Sequence, residues 1–291
     1  MSASYDYHRP RSLEEAWRLH AEIPGARFIA GGTDLQVQLM KERIETPPAL
    51  IALRSIPELG GIAVADGFRI GSRVTIGELI DHPAVGKELP ALHLAARSLG
   101  SAQVRNVATI GGNLCNASPA AELAPPLLVA GARLEIRGPR ESRAVTLEEL
   151  FRGPGRTCLC PGEILAAVVI PRPSPGSRAT YLRQGRVRID LATASVAALL
   201  EWDGSACRNV RLAAGAVAPV PLRLREAEEI LEGRAPDDNL LGLAAAAASA
   251  AISPITDLHS SAHYRRHLVG VFTRRAIARL TAAGNGTGGE R

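Results

Sequence analysis

The sequence predicts an α+β fold, and three observations carry the prediction. Before about residue 170, short apolar runs alternate with stretches of helical periodicity. Residues 171–177 (PRPSPGS) are rich in Pro, Ser and Gly and read as a domain boundary. Beyond them, three strand-like runs precede three helical ones. The chain has 291 residues, 46% hydrophobic and 22% charged, which allows two or three domains with a substantial core.

In chain order, Leu13, Ala16, Trp17 and His20 share one face of a predicted helix over 12–20. Residues 27–30 form a short apolar strand that runs into Gly31-Gly32-Thr33-Asp34. Leu35, Val37, Leu39 and Met40 then begin a helix that Thr33 or Asp34 can cap. Strands are expected at 50–53, 68–70 and 74–76, with Thr75 and Glu78 spaced as a capping box. A helix over 90–99 leads into 103–122 (QVRNVATIGGNLCNASPAAE), a polar loop containing Gly111 and Gly112. There, Ser118-Pro119 has the form of a helix N-cap and first turn.

After this loop come a buried helix over 123–130, a strand over 133–137, a turn over 151–155 and a central apolar strand over 163–170. Strands follow at 180–183, 191–202 and 210–217, and helices at 222–231, 239–251 and 263–280. The Gly-rich tail, 283–291, is expected to be disordered. This gives domains of 1–175 and 176–282.

No apolar run approaches the ~18 residues of a membrane span. The polar start MSASYDYHRPRS lacks the apolar centre of a signal peptide, so a cytoplasmic location is expected. The net charge is +5, but the positive residues are scattered and aromatics make up only 3%. A nucleic-acid partner is therefore not expected. Cys115, Cys158, Cys160 and Cys207 lack the spacing of a zinc or iron–sulfur site. His259, His263 and His267 recur every four residues, but Arg265 and Arg266 beside them disfavour a cation, so no metal is expected. The tail's Gly284-x-Gly286-x-x-Gly289 has no strand before it and no helix after it, which removes it as a dinucleotide fingerprint.

The two Gly–Gly loops are the remaining candidates for chemistry. Each precedes a helical pattern, and paired glycines let main-chain N–H groups approach an anion closely. Together they suit a ligand with two phosphates; an ordinary turn before a helix is the alternative reading of the loop at 103–122.

The residues FIAGGTDL at 28–35, QVRNVATIGGNLCNASPAAELAP at 103–125, GPGRTCLCPGEIL at 153–165 and GAVAPVPLRLREAE at 215–228 closely resemble the FAD-binding medium subunit of molybdenum hydroxylases. That family includes carbon monoxide dehydrogenase medium chains and the flavin domain of xanthine dehydrogenase. The similarity runs from about residue 4 to residue 282.

The resemblance implies a flavin domain of the p-cresol methylhydroxylase (PCMH) type with two α/β subdomains, about 1–55 and 56–175. A C-terminal domain of antiparallel sheet plus helices follows. It implies non-covalent FAD held by Phe28, Ile29, Ala30, Gly31, Gly32, Thr33, Asp34 and Leu35 and by Thr109, Ile110, Gly111, Gly112 and Asn113. Glu122, Leu165 and Arg183 are implied near the flavin. Glu122 and Arg183 stand where the xanthine dehydrogenase branch has aspartate and lysine, which keeps the charge but changes the geometry.

The redox chemistry would belong to the cofactor, so no general acid, base or nucleophile is nominated. The implied role is an electron-transfer subunit. A large molybdopterin-binding subunit and a small [2Fe-2S] subunit would be its partners, and NAD or another acceptor would take the electrons. A self-contained flavin oxidase and a flavin-free interaction subunit are the alternatives.

Overall fold

The computed structural model describes residues 5–187 and 189–282. The predicted tail and its glycine motif lie outside the described residues. The first unit is a small parallel sheet made of β1 (Asp6–His8), β2 (Arg27–Ile29) and β3 (Ala49–Ala52), in the order β1-β3-β2. The crossovers are α1 (Leu13–Glu22) and α2 (Leu35–Met40). Ser12 caps α1 by accepting from the N–H of Glu15, and Leu13 and Ala16 bury the inner face against β3. All four residues of β3 are buried, as expected for the middle strand of a sheet covered on both faces.

The second unit is built on a five-stranded antiparallel sheet. Its strands are β4 (Ile62–Val64), β5 (Gly67–Gly71), β6 (Arg133–Arg137), β7 (Ser142–Thr146) and, after the small hairpin β8 (Phe151–Gly153) and β9 (Arg156–Thr157), β10 (Ile164–Pro171). The order β4-β5-β10-β6-β7 makes β10 central, in keeping with its continuous apolar run. Between β5 and β6 run α3 (Ile76–Asp81), α4 (Pro83–Glu88), α5 (Pro90–Ser98), α6 (Ala102–Arg105), α7 (Ile110–Cys115) and α8 (Ala124–Val129), and α9 (Leu147–Leu150) follows β7.

Two local predictions in this unit change. Residues 74–76 do not form a strand: Thr75 makes a single bridge to Thr109, and the Thr75–Glu78 capping box starts α3 at Ile76. Ser118-Pro119 does not start a helix. The Ser118 hydroxyl oxygen accepts from the N–H of Ala120 in a turn, and α8 starts at Ala124 with proline in its first turn.

The third unit is the antiparallel sheet β11 (Ser177–Gln184), β12 (Ala194–Trp202), β13 (Cys207–Gly215) and β14 (Leu222–Arg223). Helices α10 (Arg225–Leu231), α11 (Asp238–Ala250) and α12 (Ala262–Thr281) pack on it. The sheet is buried on both sides. Val196, Ala198, Leu200 and Leu212 join the core under the three helices, whereas Ala197, Ala213 and Tyr181 join the core of the second unit beneath α5 and α8. Side chains alternate along a strand, so the odd positions of β11 face the preceding unit. That alternation carries Tyr181 and Arg183 toward the candidate site.

Candidate functional site

The turns that leave the carboxyl ends of β2 and β3 lie where open α/β sheets bind ligands. The first is the predicted loop 30–34. Gly32 has φ +74°, a left-handed conformation that glycine adopts at little cost. A Cβ on Gly31 would stand 2.0 Å from the carbonyl oxygen of Val107, so only glycine lets this turn approach the second loop. The N–H groups of Gly31, Gly32, Thr33 and Asp34 have no protein partner among the described residues. Asp34 occupies the N-cap position of α2 but makes no side-chain cap bond.

A cleft of about 310 Å³ opens here. Ala30, Gly31 and Gly32 line it together with Tyr7, Gln36, Arg54, Arg73, Thr75, Glu78 and Thr109. Its volume is at the lower end of the roughly 300–1,000 Å³ usual for small-molecule sites. Arg54 and Arg73 form no ion pair or side-chain hydrogen bond among the described residues, and the buried Nε of Arg73 is left without a partner. Both arginines escaped the sequence reading. The signal for Arg54 was its place just beyond β3; nothing local distinguishes Arg73.

The second loop departs from its prediction in a specific way. Gly111 and Gly112 lie in the first turn of α7, and Thr109 is its N-cap. The N–H of Ile110 donates to the carbonyl oxygen of Val74 (3.0 Å), that of Gly111 to Ser72 O (2.8 Å), that of Gly112 to Thr109 Oγ1 (3.0 Å) and that of Asn113 to Thr109 O (2.9 Å). All four donors are engaged within the protein. A Cβ on Gly111 would lie 2.6 Å from Ser72 Cβ, so that glycine permits packing rather than an unusual φ. The side chain of Asn113 turns to accept from the N–H of Leu123 (3.4 Å). The loops nevertheless adjoin, and Gln38 Nε2 at the end of α2 donates to Asn116 Oδ1 (3.1 Å) just beyond α7.

Glu122, 6% exposed, lies close enough to Asp34 and Arg183 for their charges to act on it. Burial pushes its carboxyl up to about 7 and Asp34 adds to the rise, while its own backbone N–H and Arg183 oppose it. Asp34 is itself raised by desolvation. Arg183 donates from Nη1 to the carbonyl oxygen of Ser98 (3.0 Å) and from Nη2 to that of Asp190, which fixes it between the second and third units.

The fold therefore brings Ala30, Gly31, Gly32, Ile29 and Thr109 to the cleft, and gathers Asp34, Glu122 and Arg183 in a neighbouring charged group. Thr33 lies in the turn at 31–34 and Ile110, Gly111, Gly112 and Asn113 in the first turn of α7, while three predicted residues pack elsewhere. Phe28 stacks on His20 (centroids 4.9 Å apart). Leu35 packs against the core of Ile29, Leu50 and Ala52, and Leu165 is buried in the main core. Among the described residues no cluster suits a metal ion, and no helix is long and apolar enough to cross a membrane.

Residues 3–173 match the family model described as the FAD binding domain in molybdopterin dehydrogenase, and residues 179–280 match that of the CO dehydrogenase flavoprotein C-terminal domain. The chain is 35% identical over 281 residues to the carbon monoxide dehydrogenase medium chain of Afipia carboxidovorans, covering 96% of this chain and 97% of that protein. It is 34% identical over 285 residues to the xanthine dehydrogenase FAD-binding subunit of Escherichia coli O157:H7, with the same coverage. Among solved structures, CO dehydrogenase from Oligotropha carboxidovorans superposes with a TM-score of 0.92 at 34% identity, covering 97% of this chain and 99% of that one. Quinoline 2-oxidoreductase from Pseudomonas putida 86 superposes with a TM-score of 0.91 at 30% identity, covering 96% and 97%.

Proposed function

The chain belongs to the family of FAD-binding medium subunits of molybdenum hydroxylases, and from that membership we propose that it carries electrons from [2Fe-2S] clusters of a small partner subunit, through FAD, to NAD or another acceptor. In this reading a large molybdopterin subunit oxidises the substrate, and the complex works in the cytoplasm. The four unpaired cysteines fit that reducing compartment.

The observation that carries the cofactor assignment is the turn at 31–34. Its open N–H groups, the close approach allowed by Gly31 and the cation-lined cleft beside it suit a diphosphate. Bound FAD would supply the ability to exchange electrons singly with clusters and in pairs with a nicotinamide. The chain's own part is to bind and orient. The N–H groups of 31–34 would hold the diphosphate, and Thr109 would form the opposite wall, the N–H groups of 110–113 after it being committed to the protein. Glu122, with a pKa near neutrality, holds a proton on its carboxyl part of the time and can donate a hydrogen bond to the cofactor. Arg183 keeps a positive charge beside it.

Purification of the chain, alone and with its co-expressed partner subunits, followed by a visible spectrum tests the assignment. Flavin absorbance that survives desalting is expected. Its absence from both preparations after incubation with FAD would overturn the cofactor reading in favour of a flavin-free subunit.

A further inference from the structure

Arg73 joins the start of α3 to the preceding strand β5, and its guanidinium lies over Gly60. A Cβ on Gly60 would come within 2.4–2.6 Å of Nη2, Cζ and Nε of Arg73, so the missing side chain provides the seat for the guanidinium. Gly60 itself has φ −104°, a value any residue adopts; room, and not backbone freedom, is what glycine supplies here. In that seat the buried Nε has no partner, and no carboxylate pairs with Arg73 among the described residues. Glu78, the acid in the lining, has its Oε2 bound to the N–H and hydroxyl of Thr75. Arg54 shares the cleft, exposed and also without a partner among the described residues. Arg73 is half-buried, and a guanidinium whose Nε is shut off from water without a partner suits an anionic ligand.

We propose that Arg73, assisted by Arg54, binds the diphosphate from the same cleft as the N–H groups of 31–34. The inference rests on the FAD reading above and adds side-chain charge recognition to it. Arg73 is a binding residue in this role, and Gly60 acts through it by setting its position.

Binding of FAD to the full chain, followed by quenching of flavin fluorescence, is compared with apo-protein melting for R73Q, R73K, R54Q and G60A. R73Q is expected to weaken FAD roughly tenfold to a hundredfold, the usual weight of a charge-assisted hydrogen bond. R73K should fall between R73Q and wild type, R54Q should lose a few-fold, and G60A should weaken FAD by displacing the guanidinium. The apo melting temperature should stay level or rise in R73Q, because an uncompensated charge is removed. If wild type binds FAD while R73Q binds it within twofold, the arginine assignment is overturned and the cofactor reading stands. A fall in apo stability that matches the loss of affinity would make Arg73 structural and overturn it as well. If R73Q does not fold, R73K and G60A decide by the same criteria. A wild-type chain that binds no FAD overturns the cofactor reading and this inference together.

Discussion

Residues 31–32 and 111–112 are the same dipeptide at the start of the same kind of element, and in the fold they lie side by side. At the first, glycine serves conformation and approach, with φ +74° at Gly32 and a main-chain carbonyl 2.0 Å from where a Cβ of Gly31 would sit. The N–H groups around it remain open. At the second, both glycines are helical, the N–H groups of 110–113 bond to the protein, and the missing Cβ of Gly111 lets α7 pack on Ser72. Paired glycines mark a place where backbone must come close. Whether it comes close to a ligand or to another part of the chain is decided by where the donors are satisfied.

If the difference is as described, substitutions at the two loops separate binding from stability. The largest effect is expected at Gly31. G31A forces the loops apart against a backbone carbonyl and should weaken FAD roughly a hundredfold, about 3 kcal/mol, as expected for misaligning two charge-assisted hydrogen bonds. Titration of the apo protein with FAD measures it; near wild-type affinity would remove the turn at 31–34 from the binding site.

Just beyond the second loop, Glu122 gives an effect of similar size that needs no cofactor. Its carboxyl is near 7 in the folded chain against 4.5 for the unperturbed group, so between those values the folded state binds more protons than the unfolded one. Stability is then highest below the lower value and declines as pH rises through the upper one, by about 3 kcal/mol in all. Denaturant melts of the apo protein across this range should show the decline, and E122Q should flatten it. An equally steep profile in E122Q would exclude Glu122 as the cause.

G111A sharpens the contrast from the opposite side. Its Cβ meets Ser72, and overpacking of that kind costs about 1–3 kcal/mol, to be read in the apo melting curve. FAD affinity should suffer less than in G31A. T109A should be milder still, about 1 kcal/mol for a lost N-cap, again read in apo stability. A selective loss of FAD in either variant, without loss of stability, would assign the second loop to the ligand and erase the distinction.

Much of the architecture was legible because it is written locally. The Ser12 cap, the strand–glycine–helix unit at 27–40 and the Thr75–Glu78 box are all short-range patterns, and the apolar run over 164–170 matches the central strand. What was lost depends on distant partners. Ser118-Pro119 looks like a helix start, yet the helix starts at Ala124, in the packing beneath the third sheet. Thr109 caps α7 although two glycines follow it and lower helix propensity; the bonds to Ser72 and Val74 that hold the turn come from more than thirty residues away. Arg73 resembles every other arginine in the chain until the fold leaves its Nε buried without a partner. Phe28 belongs to the motif that identifies the family, but its ring stacks on His20 and leaves the cleft to its neighbours.

Amide hydrogen exchange read at these two loops, in the apo protein and with FAD added, tests the division between them most directly. Amides without partners exchange rapidly, and those bonded within a packed structure are protected. The expected result is rapid exchange at 31–34 in the apo protein that slows on adding FAD, with 110–113 slow in both states. Rapid apo exchange at 110–113 with protection by FAD confined to those residues would contradict it.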